Sequence, residues 1–261
     1  MSNFETAIAA LDPKLFEKIP SQSTDHDKQS FLAIQLAVRN LKPGYNYLEI
    51  GSYLGGSIQP HLVDDRCSRI YSIDKRPLQQ PDARGFDCTY LHNSTERMLE
   101  QLRGVAPEKM DKLTTIDGDS SSLDPSVVTE KIDLCFIDGE HTDKAVMADF
   151  KFCLNVLNKD GCVAFHDAQI TYNGLADCIG YLEQSNLVFR AYILPSIVFV
   201  IEIGDFPMHK EPAIFERLVN SHQSYLYSLR DNDRYRRFAN KYPFRAVRNF
   251  ISKVRGGNVS P

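Results

Sequence analysis

Two apolar runs end on acids with a histidine close by. The run "KIDLCFIDG" (131–139) closes on Asp138, with His141 just beyond it, and "GCVAFHD" (161–167) closes on His166 and Asp167. Each run has the continuous hydrophobic character of a strand buried on both faces. Each acid stands at the C-terminal end, the edge where open α/β sheets bind ligands. Neighbouring strands in one sheet lie about 4.8 Å apart, so the two carboxylates would converge on one point. Anions that close repel unless a cation sits between them. A divalent metal is one answer and a positively charged ligand centre another. His141 and His166 add general-base chemistry, since imidazole exchanges protons near neutral pH. Each group also has a structural reading: Asp138-Gly139 suits a turn, with Thr142 capping the next helix, and either histidine can be a hydrogen-bonded core group.

A third feature is the loop in "YLEIGSYLGGS" (47–57), where an apolar run breaks at Gly51 and glycines recur at Gly55 and Gly56. A dinucleotide-binding turn wants a glycine where Tyr53 stands, because backbone there must approach pyrophosphate. A phosphate loop wants Gly-Lys-Ser/Thr, which is absent. Glu49, beside the loop, repels phosphate and suits ribose hydroxyls or a cationic ligand. Asp74 closes the next apolar run, "SRIYSID" (68–74), where a carboxylate can take both ribose hydroxyls of an adenosine. Lys75 and Arg76 follow it, and an arginine near that position can instead hold a 2′-phosphate. The plain alternative for the loop is a tight strand-to-helix turn.

The elements that must position these residues follow from hydrophobic period. A short amphipathic helix opens the chain, and a second, capped at Ser23, Thr24 or Asp25, ends at Pro43-Gly44. Strands follow at "YNYLEIG", 68–74, 112–119, 131–139 and 161–167, with helical segments such as 142–157 between them. This alternation predicts a parallel sheet covered on both faces. The runs at 187–194 and 196–204 are separated by little more than Pro195, which allows only an antiparallel hairpin. Residues 214, 218, 225 and 229 predict a later packed helix. His26, in "TDHDK", reads as part of a solvated helix start. Six cysteines (67, 88, 135, 153, 162, 178) without CxxC spacing read as reduced thiols, mostly buried. With no signal-peptide pattern and no apolar run near the ~20 residues of a membrane span, the expected location is cytoplasmic.

The net charge of −4 conceals an asymmetry: residues 234–261 hold eight Lys or Arg and no acid. Apolar residues 247, 250, 251 and 254 share a helical face there. Such a helix suits peripheral contact with an anionic membrane, a subunit in a homo-oligomer, or an acidic substrate. A docked helix with a solvated basic face is the plainer reading. No nucleic-acid motif accompanies the charge.

The segments "YLEIGSYLGGS", "YSIDKRP", "IDGDSSSL", "IDLCFIDGEHTDKAVMADF" and "LNKDGCVAFHD", in this order over about residues 47–167, resemble the class I S-adenosylmethionine-dependent methyltransferases. The branch they look most like is the small O-methyltransferases of antibiotic and sugar tailoring. The resemblance implies a Rossmann-like, seven-stranded, mostly parallel sheet with an antiparallel last strand and helices on both faces. Residues 1–44 would then be an N-terminal helical cap, 45–205 the cofactor-binding core, and 206–261 C-terminal helices with the basic tail. It places Gly51, Ser52, Tyr53 and Gly55, with Glu49 and Ser57, around the methionine and sugar of S-adenosylmethionine. Asp74 would bind the ribose, Asp119 and Ser120 the adenine, and Asp138 the cofactor's reacting end. The family includes metal-dependent members, which implies Mg²⁺ or Mn²⁺ at Asp138, His166 and Asp167, a nitrogen ligand favouring the latter. His141, then His166, are the candidate bases for deprotonating a hydroxyl of a sugar, glycan or phenolic acceptor. The chain departs from the family at Asp143, where relatives carry Tyr, and at Asp160-Gly161, where they carry Gly-Gly. Two other readings are a nicotinamide-dependent oxidoreductase, which Tyr53 opposes, and a cofactor-binding module without catalysis.

Overall fold

The computed structural model describes residues 3–85, 87–220, 222, 226, 241–247 and 250. The basic tail and the continuation of the last predicted helix past 220 lie largely outside these residues. A helix α1 (Asn3–Ala9) and a 3-10 turn (Pro13–Phe16) precede α2 (Asp25–Leu41). The predicted single N-terminal helix is therefore broken: Leu11 adopts a left-handed φ of 51° and Pro13 follows. There follow β1 (Tyr45–Ile50), α3 (Gln59–Val63), β2 (Cys67–Asp74), β3 (Gln79–Pro81), β4 (Asp87–Thr89), α4 (Thr95–Val105) and β5 (Leu113–Asp117). Then come β6 (Ile132–Ile137), α5 (Asp143–Val156), β7 (Leu157–Phe165), α6 (Tyr172–Gln184), β8 (Phe189–Leu194), β9 (Val198–Ile203) and α7 (Pro212–Val219).

Seven strands form one sheet in the order β5-β2-β1-β6-β7-β9-β8. All neighbours from β5 to β7 are parallel, and β9 enters antiparallel between β7 and β8. The hairpin predicted from Pro195 thus puts its second strand inside the sheet and its first at the edge. Alternate residues of each central strand feed opposite cores: Tyr45, Tyr47, Leu134, Phe136, Cys162 and Ala164 on one face, Leu48, Ile50, Cys135, Ile137, Val163 and Phe165 on the other. Burial on both faces is why these strands read as unbroken apolar runs. Five of the six cysteines are buried, and Cys88 is partly exposed. No described helix is long and apolar enough to cross a membrane.

Register positions the chemistry. Ile50 pairs with Ile73 and with Ile137, and Ile137 pairs with Phe165. The next residue of each strand therefore stands in one row: Gly51, Asp74, Asp138 and His166. Backbone bonds hold three of them there, Gly51 N–H donating to Ile73 O, Asp138 N–H to Ile50 O and His166 N–H to Ile137 O, at 2.9–3.0 Å.

Candidate active site

Two cavities open along this row and meet at Gly51. The first, about 200 Å³, is bordered by Asp74, Lys75, Asp119, Ser120, Glu140 and Asp149. The second, about 340 Å³, is bordered by Ser52, Tyr53, Gly56, Ser57, Asp138, His141, His166 and Asp167, with Asp27 and Tyr90 among the other walls. Gly51 has φ +93°, and a Cβ there would lie 2.2 Å from the Asp138 carbonyl oxygen. Only glycine lets the ends of β1 and β6 come this close, at the residue that both cavities share.

Around the first cavity, Asp74 is held by its own loop. Its Oδ2 accepts from Tyr53 N–H at 2.9 Å and its Oδ1 from Arg76 N–H at 2.7 Å, and the Arg76 guanidinium lies 3.4 Å from Oδ2. Lys75 bridges Asp119 at 3.2 Å and Glu140 at 2.9 Å. Ser120 donates to the buried Asp149 of α5, whose carboxyl burial pushes up to about 7. Asp149 was not foreseen; on its helix it stands among core positions, and its type alone marked it.

The second cavity holds a ladder of acids and imidazoles. His166 Nδ1 lies 3.1 Å from Asp138 Oδ1 and 3.5 Å from Asp167 Oδ2, and its Nε2 lies 3.7 Å from Asp27 Oδ2. His141 Nε2 lies 3.2 Å from Asp167 Oδ2 and 3.6 Å from Asp138 Oδ1. Burial lowers the proton affinity of both histidines, but the surrounding carboxylates outweigh it and hold both imidazoles above their ordinary value, His166 far above. Asp138 is held low despite its burial, by His166 and His141, whereas burial and the neighbouring Asp138 push Asp167 up. Asp167 itself has a left-handed φ of 53°, a strained conformation of the kind found where a side chain must be aimed.

Ligand atoms of Asp138, His141 and Asp167 lie within 4.8 Å of one another. The histidine completing this metal-compatible set is His141, whereas the sequence pointed to His166. His166 instead lies deeper, between Asp138 and Asp27. Asp27 is also new: it is the third helical residue of α2, where it makes a capping box with Thr24, and it is 1% exposed. The sequence signals only the cap; His26 beside it is exposed, as expected.

Two expected loop contacts face elsewhere. Glu49 borders neither cavity, because alternation along β1 puts it on the inner face with Tyr47; its oxygens accept from Tyr47 Oη at 2.7 Å and Ser57 Oγ at 2.5 Å. Gly55 packs against Met98 and Leu102, and Gly56 takes its place at the cavity wall. Asp143 reaches α6, accepting from Gly174 N–H at 2.8 Å. The β3–β4 hairpin, unforeseen, is tied to the site by Ala83 N–H donating to His141 O at 2.8 Å.

The burial of Glu49 has a measurable consequence. Burial raises its carboxyl from 4.5 to about 8. Between those values the unfolded chain has lost a proton that the folded chain keeps, so stability falls as pH rises through this window. At about 1.4 kcal/mol per unit, the loss by pH 8 is on the order of 4 kcal/mol. Glu49→Gln removes the ionisation, so its urea midpoint should gain on wild type between pH 5 and pH 8. Parallel pH curves for the two proteins would show that Glu49 ionises normally in the fold.

The sheet order and its single antiparallel strand are those of the Rossmann-like methyltransferase fold. Residues 48–168 match the family described as methyltransferase domain, which supports an S-adenosylmethionine-dependent methyltransferase over the oxidoreductase alternative. Among solved structures, the chain is similar to the O-methyltransferase NovP (13% identity, 77% of this chain and 100% of that one, TM-score 0.57). It is similar also to CalS11, a calicheamicin methyltransferase (16%, 78% and 95%, TM-score 0.52). A third is the O-methyltransferase TomG of Streptomyces achromogenes, involved in tomaymycin synthesis and solved with its cofactor (14%, 76% and 89%, TM-score 0.50). At these identities the likeness is one of fold. No curated protein sequence matches the chain significantly.

Proposed function

We propose that this methyltransferase transfers its methyl group to a hydroxyl of a small-molecule acceptor, a sugar or a phenol, with a divalent cation at Asp138, His141 and Asp167. The observation that carries this is the convergence of both strand-end carboxylates on His141 Nε2. NovP and TomG, which share this fold, are both O-methyltransferases, in agreement with it. The residues fit the groups required. The first cavity offers carboxylates and hydroxyls to a nucleoside, and it meets, at Gly51, a second cavity rich in acids that suits a cationic sulfonium. Buried His141 Nε2 faces both carboxylates without a well-formed hydrogen bond, so a cation seated among the three would take its lone pair in place of the proton the carboxylates favour there. Two oxygens and a nitrogen favour Mn²⁺ or another transition metal over Mg²⁺.

S-adenosylmethionine supplies a methyl already activated by its sulfonium, so the chain has to align the acceptor oxygen and remove its proton. A cation held by Asp138, His141 and Asp167 would acidify a coordinated hydroxyl. His166, set between Asp27 and Asp138, fixes the Asp138 carboxylate and accumulates positive charge beside it. Without a cation, His141 in its unprotonated form would accept the hydroxyl proton, since of the two histidines lining the cavity it is the more exposed, at 15% against 7%.

Methyl transfer from tritiated S-adenosylmethionine to a panel of sugars and phenols tests both. Exhaustive chelation should abolish transfer and Mn²⁺ should restore it. Transfer that survives chelation but is lost in His141→Ala would replace the cation by histidine. Labelling of amines only would overturn the oxygen acceptor.

A further inference from the structure

Beside the catalytic cavity lies a third, of about 350 Å³, between α6 and the β8–β9 hairpin. Its walls include Ala176 and Ile179 of α6 and Ile193 and Phe199 of the hairpin, and none of its lining residues is charged. Gln169 and Ile197 border it and the catalytic cavity alike, so the two lie side by side. At this junction Gln169 Oε1 is buried and has no hydrogen-bond partner. A buried oxygen in that condition is costly unless a donor arrives to satisfy it.

We propose that this cavity is an acceptor subsite that takes an apolar alkyl chain, so that the enzyme's substrate is amphiphilic, with its reacting hydroxyl among the acids and histidines and its chain beyond Gln169. The inference rests on the oxygen-acceptor reading and extends it to substrate class. The contrast between the adjoining cavities is its basis. One is walled by Asp27, Asp138, His141, His166 and Asp167, and the other has no charged group, its polar side chains being Gln169 and Tyr172. Gln169, in the wall that both cavities share, stands where a polar head gives way to a chain, and a turn of its side chain would present the unpaired Oε1 to a second hydroxyl of the head group. The 340 and 350 Å³ volumes each lie in the range of small-molecule sites.

Calorimetric titration of the full chain, saturated with S-adenosylhomocysteine, with methyl, butyl, hexyl and octyl β-glucosides below their micelle concentrations tests this. Affinity should rise about fourfold for each methylene added, the equivalent of roughly 0.8 kcal/mol per buried CH₂, until the cavity is full. Ala176 is exposed on α6 and borders the cavity, so Ala176→Trp should fill the cavity and erase the dependence on chain length. Unchanged S-adenosylhomocysteine affinity reports that the variant is folded. Should the bulk disturb α6, Ala176→Gln should reduce the increment per methylene with less volume. Equal affinity along the series would overturn the proposal, as would a chain-length dependence that both variants retain. A wild-type dimer that Ala176→Trp dissociates would overturn it too, by showing a second copy of the chain on this surface. Chain-length-dependent binding with no methyl transfer would uphold the subsite and count against the oxygen acceptor. Transfer to sugars regardless of chain length would do the reverse.

Discussion

Asp138→Asn is expected to lower methyl transfer by about 10³-fold, within the range for removing a group that positions or exchanges the reacting proton. The side chain is central because it touches both imidazoles and belongs to the proposed cation site. Asparagine keeps its volume and removes its charge. In protein stripped of metal, His166 then keeps only Asp27 and Asp167 against its burial, so its proton affinity should fall. Breaking a buried pair from one side costs about 3–5 kcal/mol, and the lower end is expected here because the imidazole can shed its proton. Asp138, held low, contributes stability above its ordinary 3.8, and that contribution disappears as the solution is acidified. His166, held high, contributes stability fully present below 6.5 and lost as pH rises through its raised value. Both contributions are complete between about pH 4 and 6.5, so the stability penalty should be largest there and shrink toward alkaline pH. Urea unfolding at pH 5.5 and 9 measures the difference, and the assay with and without Mn²⁺ measures the rate. A rate within tenfold of wild type would remove Asp138 from the chemistry, whatever the stability showed.

The row that Asp138 shares with Gly51, Asp74 and His166 was legible because each follows an unbroken apolar strand and strands in parallel sheets tend to end together. The same logic located the hairpin around Pro195, since so short a connection excludes a crossover. Legibility failed where a residue's role is set by a partner distant in sequence. Asp27 reads as a helix cap and is one, but packing of α2 beside the β8–β9 turn, where Ile197 N–H approaches Asp27 Oδ1 at 3.4 Å, also sets it against His166. No local pattern encodes that second contact. The β3–β4 hairpin escaped notice because three-residue strands are too short to show a period of two. Glu49 was readable in principle: alternation with Leu48 and Ile50 puts it on the face of Tyr45 and Tyr47, inside the protein. Its place beside the glycine loop points the other way, and the choice between His141 and His166 as ligand turns on loop geometry that spacing does not carry.

Three glycines with left-handed backbone separate strain, collision and function. At Gly51→Ala, the Cβ meets both an unfavourable φ of +93° and the backbone of Asp138 and Gly139, at 2.2–2.5 Å. The conformational cost is about 1–2 kcal/mol, and the collision adds to it because two strand ends must move apart, so a total of about 3 kcal/mol or more is expected. Gly85→Ala shares the left-handed backbone, φ +82°, but meets nothing within 4 Å, so it should lose only the conformational part. Gly204→Ala combines φ +70° with a contact 2.2 Å from the Lys159 carbonyl, away from both cavities. It should lose as much stability as Gly51→Ala. The two should diverge in ligand binding, since displacement of about 1 Å at a reacting site is enough to cost about 100-fold. Calorimetry below the unfolding temperature should therefore show S-adenosylhomocysteine affinity collapsing in Gly51→Ala and near wild type in Gly204→Ala. If the two variants lost affinity equally, the loss would follow from general destabilisation, and Gly51 would have no special part in joining the cavities. If Gly51→Ala alone loses it, the close approach of β1 to Asp138 is what shapes the ligand site where the two cavities meet.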